Sequence, residues 1–163
     1  MVTLNFDKVF ELGVQALLLF AGYYLGLQSR DKEFERNTAK KRYETAYVPF
    51  MDMLYRGFMF NGISQDIPPS LRAKFLDIFS KNLSLWGEDT LKAYPAFYKS
   101  FLDMLEYDDG NPEYQSAPDT FRKNLSFMAL TILEDAEALS KGLGLPSIAK
   151  PLLENYRHNC HRP

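Results

Sequence analysis

The chain holds one cysteine and two histidines, and each scarcity excludes something. A lone thiol, Cys160, cannot close an internal bridge, so a disulfide-stapled secreted scaffold is excluded and a reducing compartment fits better. Both histidines, His158 and His161, fall at the C-terminal end, leaving the body of the chain without the commonest general acid–base group. Glycine-rich phosphate loops are missing, as is the E-x-x-H pair of a di-iron bundle site. An excess of one charge is missing too. Nineteen basic side chains against 21 acidic ones give a net charge of −2, which provides no electrostatic footprint for nucleic acid. The sequence thus predicts no enzyme, no cofactor and no nucleic-acid partner. No strand pattern or internal repeat competes with helical periodicity, so the expected fold class is all-α.

What is present begins with a greasy stretch, Val9 to Leu27, reading VFELGVQALLLFAGYYLGL. Its centre, Ala16 to Leu25, is apolar on every helical face, which excludes an amphipathic surface helix. At helical rise the stretch reaches roughly 28 Å, close to a hydrocarbon core. Glu11 lies near one boundary, and Tyr23 and Tyr24 lie toward the other, where amphipathic rings are favoured. The approach to Gln28 offers no clear signal-peptide cleavage site. The expectation is a single transmembrane helix in contact with lipid over 9–27. The rival reading is a soluble helical bundle that buries this helix at its centre, with a possible metal site at the C-terminus.

Basic residues near the ends orient the span. Only Lys8 precedes it, whereas Arg30, Lys32, Arg36, Lys40, Lys41 and Arg42 follow it as a membrane-proximal set. The positive-inside rule then puts the C-terminal side in the cytosol and a short N-terminus outside. Glu11, Gln15, Leu18, Gly22, Gly26 and Ser29 fall within one narrow sector of the helix. Gly22 and Gly26 form a G-x-x-x-G pair that lets backbones approach, and Gln15 can add an interhelical hydrogen bond. The predicted helix–helix interface is therefore Gln15, Leu18, Gly22 and Gly26, and the predicted assembly is a homo-oligomer.

Residues 28–42 are polar all round and read as a charged stalk, supported by Lys32 with Glu35, Glu33 with Arg36, and Lys40 with Glu44. A domain of four to five helices follows over 43–157, with a tail over 158–163. Apolar residues from Tyr43 through Tyr47, Phe50, Leu54 and Phe58 mark a buried face, and Pro49 predicts a kink or a break. Asp66, Pro68 and Pro69 open the next helix, lined by Leu71, Phe75, Ile78, Phe79 and Leu83 and closed by Gly87. A third helix covers Glu88 to Tyr107, with Leu91, Tyr94, Tyr98, Phe101, Leu102 and Leu105 as its core stripe and a bend or restart at Pro95. Asp108 to Asp119 reads as an acidic loop without the acid spacing of a calcium site. Ser116 then caps a helix carrying Phe121, Leu125, Met128, Ile132, Ala136 and Leu139, ended by Gly142 and Gly144. Glu134, Asp135 and Glu137 are expected to face water. A last helix packs Leu152, Leu153 and Tyr156 as a lid.

One cluster has metal-ligand chemistry: His158, Cys160 and His161 supply ligands that zinc prefers, although ligands so close in sequence strain a tetrahedral site. A disordered tail is the simpler reading. The aromatic and methionine-rich segment from Tyr43 to Phe60 suits either core packing or a partner groove, and core packing explains it with less assumption. Together these features predict a membrane-anchored interaction or regulatory module on the cytosolic face, binding an unidentified protein partner. By analogy of architecture alone, its more pointed form is a prophage-type exclusion or defence protein.

Overall fold

The computed structural model describes residues 6–58 and 67–160, and every regular element among them is helical. The chain divides into two units, Met1–Thr38 and Ala39–Pro163. Helix α1 runs unbroken over Phe6–Arg42, so the greasy stretch and the stalk are one helix. Among the described residues no helix is long and apolar enough to cross a membrane. Of the expected span, the side chains of Val9–Val14, Ala16, Ala21, Leu25 and Leu27 lie outside the described residues.

Pro49 does not end the helical structure. A π-helical segment, Tyr43–Tyr47, precedes α2 (Val48–Met53), and a second, Leu54–Phe58, follows it. The Val48 amide bonds the Tyr43 carbonyl, the longer reach of a π turn. A proline ring crowds the carbonyl one α-turn back and donates no hydrogen bond, and widening the preceding turn accommodates both defects. Tyr43, Tyr47, Phe50, Met51 and Leu54 are buried, as core packing predicts; Met59, Phe60 and Asp66 lie outside the described residues, as does the side chain of Phe58.

Helix α3 spans Pro69–Lys81, with Pro68 and Pro69 at its start. Leu71, Phe75 and Phe79 are buried as expected. Gly87 does not close this helix. A single 3-10 turn, Leu83–Leu85, and Trp86 intervene, and Gly87 is instead the N-cap of α4, Glu88–Asp108. Pro95 stands inside α4 without interrupting it. After a 3-10 turn at Pro112–Tyr114 comes α5, Ala117–Leu143, and then α6, Ala149–Cys160.

The core of the second unit is a continuous aromatic ladder. Phe97 packs edge-on against Phe79 at 4.9 Å and meets Phe121 at 5.7 Å; Phe79 reaches Phe50 at 5.6 Å. Trp86 stands edge-on to Tyr47 at 5.1 Å and donates its indole N–H to the Phe79 carbonyl at 2.9 Å, so its one polar atom is satisfied. Helix α5 is the central element: Phe121, Leu125, Met128, Ile132 and Ala136 are buried along one face, and Leu152, Leu153 and Tyr156 of α6 are buried as the lid. Its end is a Schellman turn at Gly144 alone, at φ 69°, with Leu145 N–H bonded to Ser140 O at 2.8 Å; Gly142 lies within the helix. Ser116 occupies the N-cap position, but its hydroxyl makes no capping hydrogen bond; its carbonyl accepts the first helical bond, from Thr120 N–H at 3.1 Å.

The buried face of α4 is only in part the expected one: Tyr94 and Phe101 pack partly buried against the core, but the centre of the face lies elsewhere. Thr90, Ala93, Phe97, Ser100 and Met104 point inward, while Leu91, Tyr98, Leu102 and Leu105 are exposed. Short side chains at positions 90, 93 and 100 let α4 approach its neighbour closely. The two buried hydroxyls are satisfied: Ser100 donates to Phe97 O at 2.7 Å, and Thr90 lies 3.2 Å from Thr131 Oγ1.

Candidate functional site

Three features of the described residues stand apart from ordinary core packing. The first is on α1. Leu17, Leu18, Leu19 and Phe20 are 72%, 69%, 75% and 76% exposed, and Tyr23 and Tyr24 are exposed beside them. A contiguous patch of large apolar side chains left in solvent marks an interaction surface. Gln15, Gly22 and Gly26 are exposed as well, and a Cβ on either glycine would meet nothing within 4 Å. The four residues of the predicted helix–helix interface thus have no partner within this chain's described residues.

Among the basic residues that follow, Arg30, Lys32, Arg36, Lys40 and Lys41 are exposed. Lys40 pairs with Glu44 at 3.8 Å, as the spacing predicts; among the described residues no ion pair joins Lys32 to Glu35 or Glu33 to Arg36. Arg42 behaves differently. Its Nε donates to the Leu85 carbonyl at 2.9 Å and its Nη2 reaches Tyr47 Oη at 3.4 Å. It is therefore bonded to the folded domain at Leu85 and Tyr47, whereas Lys40 pairs only one turn further along the chain.

Arg42 leads into the second feature, a polar cluster inside the domain. Tyr47 Oη accepts from the Gly87 amide at 3.1 Å. The Asp135 carboxylate lies against Gly87 so closely that a Cβ there would collide with it. Asp135 Oδ2 is 3.1 Å from Thr90 Oγ1, and Thr131 donates to Met128 O at 2.9 Å. Burial pushes the Asp135 carboxyl above its ordinary value, outweighing the Thr90 hydrogen bond and the nearby Arg42 charge. Burial likewise raises Tyr47, with the Asp135 charge adding to it.

Thr90 donates to Asp135 Oδ2, and Thr131 donates to the Met128 carbonyl, so both hydroxyl protons have acceptors. Asp135 was expected to face water with Glu134 and Glu137. Only Glu134 does, pairing at the surface with Arg157 at 2.9 Å. Glu137 is largely covered, with Oε1 on Lys141 at 3.0 Å and Oε2 buried without a partner among the described residues. Its charge, after burial itself, raises the Tyr43 phenol.

The third feature is a cavity of about 280 Å³ where α3 and α5 begin and α4 ends, lined in part by Arg72, Met104, Tyr107, Asp108, Phe121 and Arg122. Arg72, in the first turn of α3, is only 3% exposed. Its Nη2 donates to Asp108 Oδ2 at 2.6 Å, while Nε and Nη1 are buried with no acceptor among the described residues. Arg122 on the rim pairs with Asp119 at 3.0 Å.

No group of side chains suited to holding a metal occurs among the described residues. The candidate ligands His158, Cys160 and His161 lie outside them: the first two are on α6 with side chains not described, and the third is beyond it. Comparison with protein-family models, with curated proteins and with solved structures returns no match. The functional reading therefore rests on the residues themselves.

Sequence reasoning missed Arg72 and Asp135, although a signal for each was present. Arg72 is in helical phase with Phe75 and Phe79, and Asp135 is in phase with Met128, Thr131 and Ile132. A charged residue in step with an apolar stripe points inward.

Proposed function

We propose that this chain is a membrane-tethered helical interaction module. In this reading the apolar turns of α1 sit in a bilayer, the basic residues after them lie on the cytosolic side, and the domain from Ala39 onward engages a protein partner. The observation that carries it is the exposure of Leu17–Phe20, Tyr23 and Tyr24. The hydrophobic cluster of buried residues runs from Tyr43 to Tyr156 and draws on none of them. Burying a leucine or phenylalanine side chain is worth about 1.5–3 kcal/mol, so a run of such residues in water is strongly driven toward an apolar phase. Lipid supplies that phase, and five exposed basic residues follow in the order the positive-inside rule requires.

The outward stripe of α4, Leu91, Tyr98, Leu102 and Leu105, supports the partner-binding half of the reading. Spacings of seven, four and three residues keep them on one helix face, the pattern by which a helix meets another helix.

The soluble-bundle alternative is favoured by one observation: no described helix is long and apolar enough to cross a membrane. Fractionation decides between the two. The full-length chain is expected in the membrane pellet after alkaline carbonate washing and to need detergent for release. Recovery of the folded full-length chain in detergent-free buffer would favour the bundle and remove the tether. Protease treatment of intact and lysed cells then reports the orientation, with cleavage after Arg30 expected only on lysis.

A further inference from the structure

We propose that the cavity between α3, α4 and α5 binds a small amphiphilic carboxylate, its acid group held by Arg72 and its apolar body seated on Met104, Tyr107 and Phe121. The starting point is an arginine that is only 3% exposed and incompletely paired. A guanidinium stays charged in proteins, and taking it out of water is costly unless its donors find acceptors. Asp108 engages Nη2 alone, through one carboxylate oxygen, and is itself about a third exposed. Nε and Nη1 are buried and have no acceptor among the described residues. Unsatisfied donors of this kind are rare in folded proteins and call for an explanation.

The surroundings specify the ligand. Pro68 and Pro69 open α3 and Pro118 stands in the first turn of α5, and all three line the cavity. Two positive helix poles thus converge on it, against the one negative pole that α4 contributes. Arg122 adds a second cation at the rim, largely occupied by Asp119. The planar fork of arginine matches a carboxylate, and Asp108 shows that this guanidinium takes one at 2.6 Å. The remaining walls are Ile67, the prolines and the methionine and aromatic side chains, which suit an apolar body better than a bare inorganic ion. A volume of about 280 Å³ lies just below the range that holds drug-sized ligands, so a ring-sized acid is the right scale.

Benzoate is the probe, with benzyl alcohol as its neutral counterpart and inorganic phosphate as the anion without an apolar body. Each is titrated into the full-length chain while the arginine Nε resonances and the heat of binding are followed. Benzoate is expected to bind saturably and to shift the Arg72 Nε signal, with benzyl alcohol at least about tenfold weaker, since charge-assisted bonds supply the difference. Arg72→Met should lower benzoate affinity by at least about tenfold. Asp108→Asn should raise it several-fold, because it removes the carboxylate that competes for the same guanidinium. That second variant separates a ligand site from a purely structural ion pair, and it decides the matter if Arg72→Met does not fold. Absence of saturable benzoate binding, equal binding of benzyl alcohol, binding of phosphate in preference to benzoate, or an unchanged or weakened affinity in Asp108→Asn would each overturn the proposal.

Discussion

The carboxylate of Asp135, on α5, occupies the space that a side chain on Gly87 would need. Gly87 has φ −71° and ψ 167°, a conformation open to any residue, so the requirement for glycine here comes from contact and not from backbone strain. Asp135 is short and is held by Thr90 at 3.1 Å, which leaves it little room to yield. Together with the Thr90 bonds to Thr131 and Asp135, this contact ties the N-terminus of α4 to the middle of α5.

Gly87→Ala is therefore expected to destabilise the domain by about 1–3 kcal/mol through overpacking, more than the ~0.4–1 kcal/mol gained by stiffening the unfolded chain. Combining it with Asp135→Ala should recover part of the loss. A double-mutant cycle by denaturant unfolding is expected to give a coupling of at least ~0.5 kcal/mol. Strict additivity would mean that the two residues do not compete for space.

The raised Asp135 carboxyl makes stability depend on pH in a defined direction. Between the ordinary aspartate value and the higher value in the folded state, the native protein binds more protons than the unfolded chain. Stability from this group is thus greatest at low pH and declines as pH rises through that window. Asp135→Asn keeps an acceptor for Thr90 and removes the titration, so its unfolding free energy should lack this part of the slope. Superimposable pH profiles for the two proteins would refute the assignment.

The two faces of α4 make opposite predictions. Phe97 is fully buried among Phe79, Tyr94 and Phe121, and Phe97→Ala should cost about 3–5 kcal/mol. Leu102 is exposed, and Leu102→Ala should change stability by no more than ~0.5 kcal/mol. Thermal melts of both variants test the face assignment directly. Comparable losses would show that the outward stripe is covered.

Gly22 and Gly26 have open space where a Cβ would go, so larger residues fit the isolated helix. Gly22→Ile and Gly26→Ile should leave the folding of the domain unchanged while weakening any dimer in detergent by about tenfold or more, since branched side chains prevent close backbone approach. Unaltered association, by cross-linking or analytical centrifugation, would remove this face from the interface.

Amphipathic periodicity alone was enough to locate most elements. Along α5 the apolar residues from Phe121 to Ala136 are large and evenly spaced, so the apolar face in sequence and the buried face in space coincide. The same rule located α4 and set its orientation only in part, with Tyr94 and Phe101 on the core and Leu91, Tyr98, Leu102 and Leu105 exposed. It counts large apolar residues, and the buried face of α4 places Thr90, Ala93 and Ser100 in phase with Phe97 and Met104, so that face reads as less apolar than it is. The extended run of α1 was likewise legible, because all-round apolarity over many turns is a local property.

What only tertiary structure decided were the partnerships. Whether Asp135 meets water or Gly87, whether Arg42 belongs to the basic segment or to the domain, and whether Arg72 finds enough acceptors all depend on residues some 35 or more positions away. A local pattern records which side chains are apolar, since transfer from water is a property of each residue by itself. It does not record which polar atom lies opposite another, because that is set by how whole helices pack, and this is where the chemistry of the protein resides.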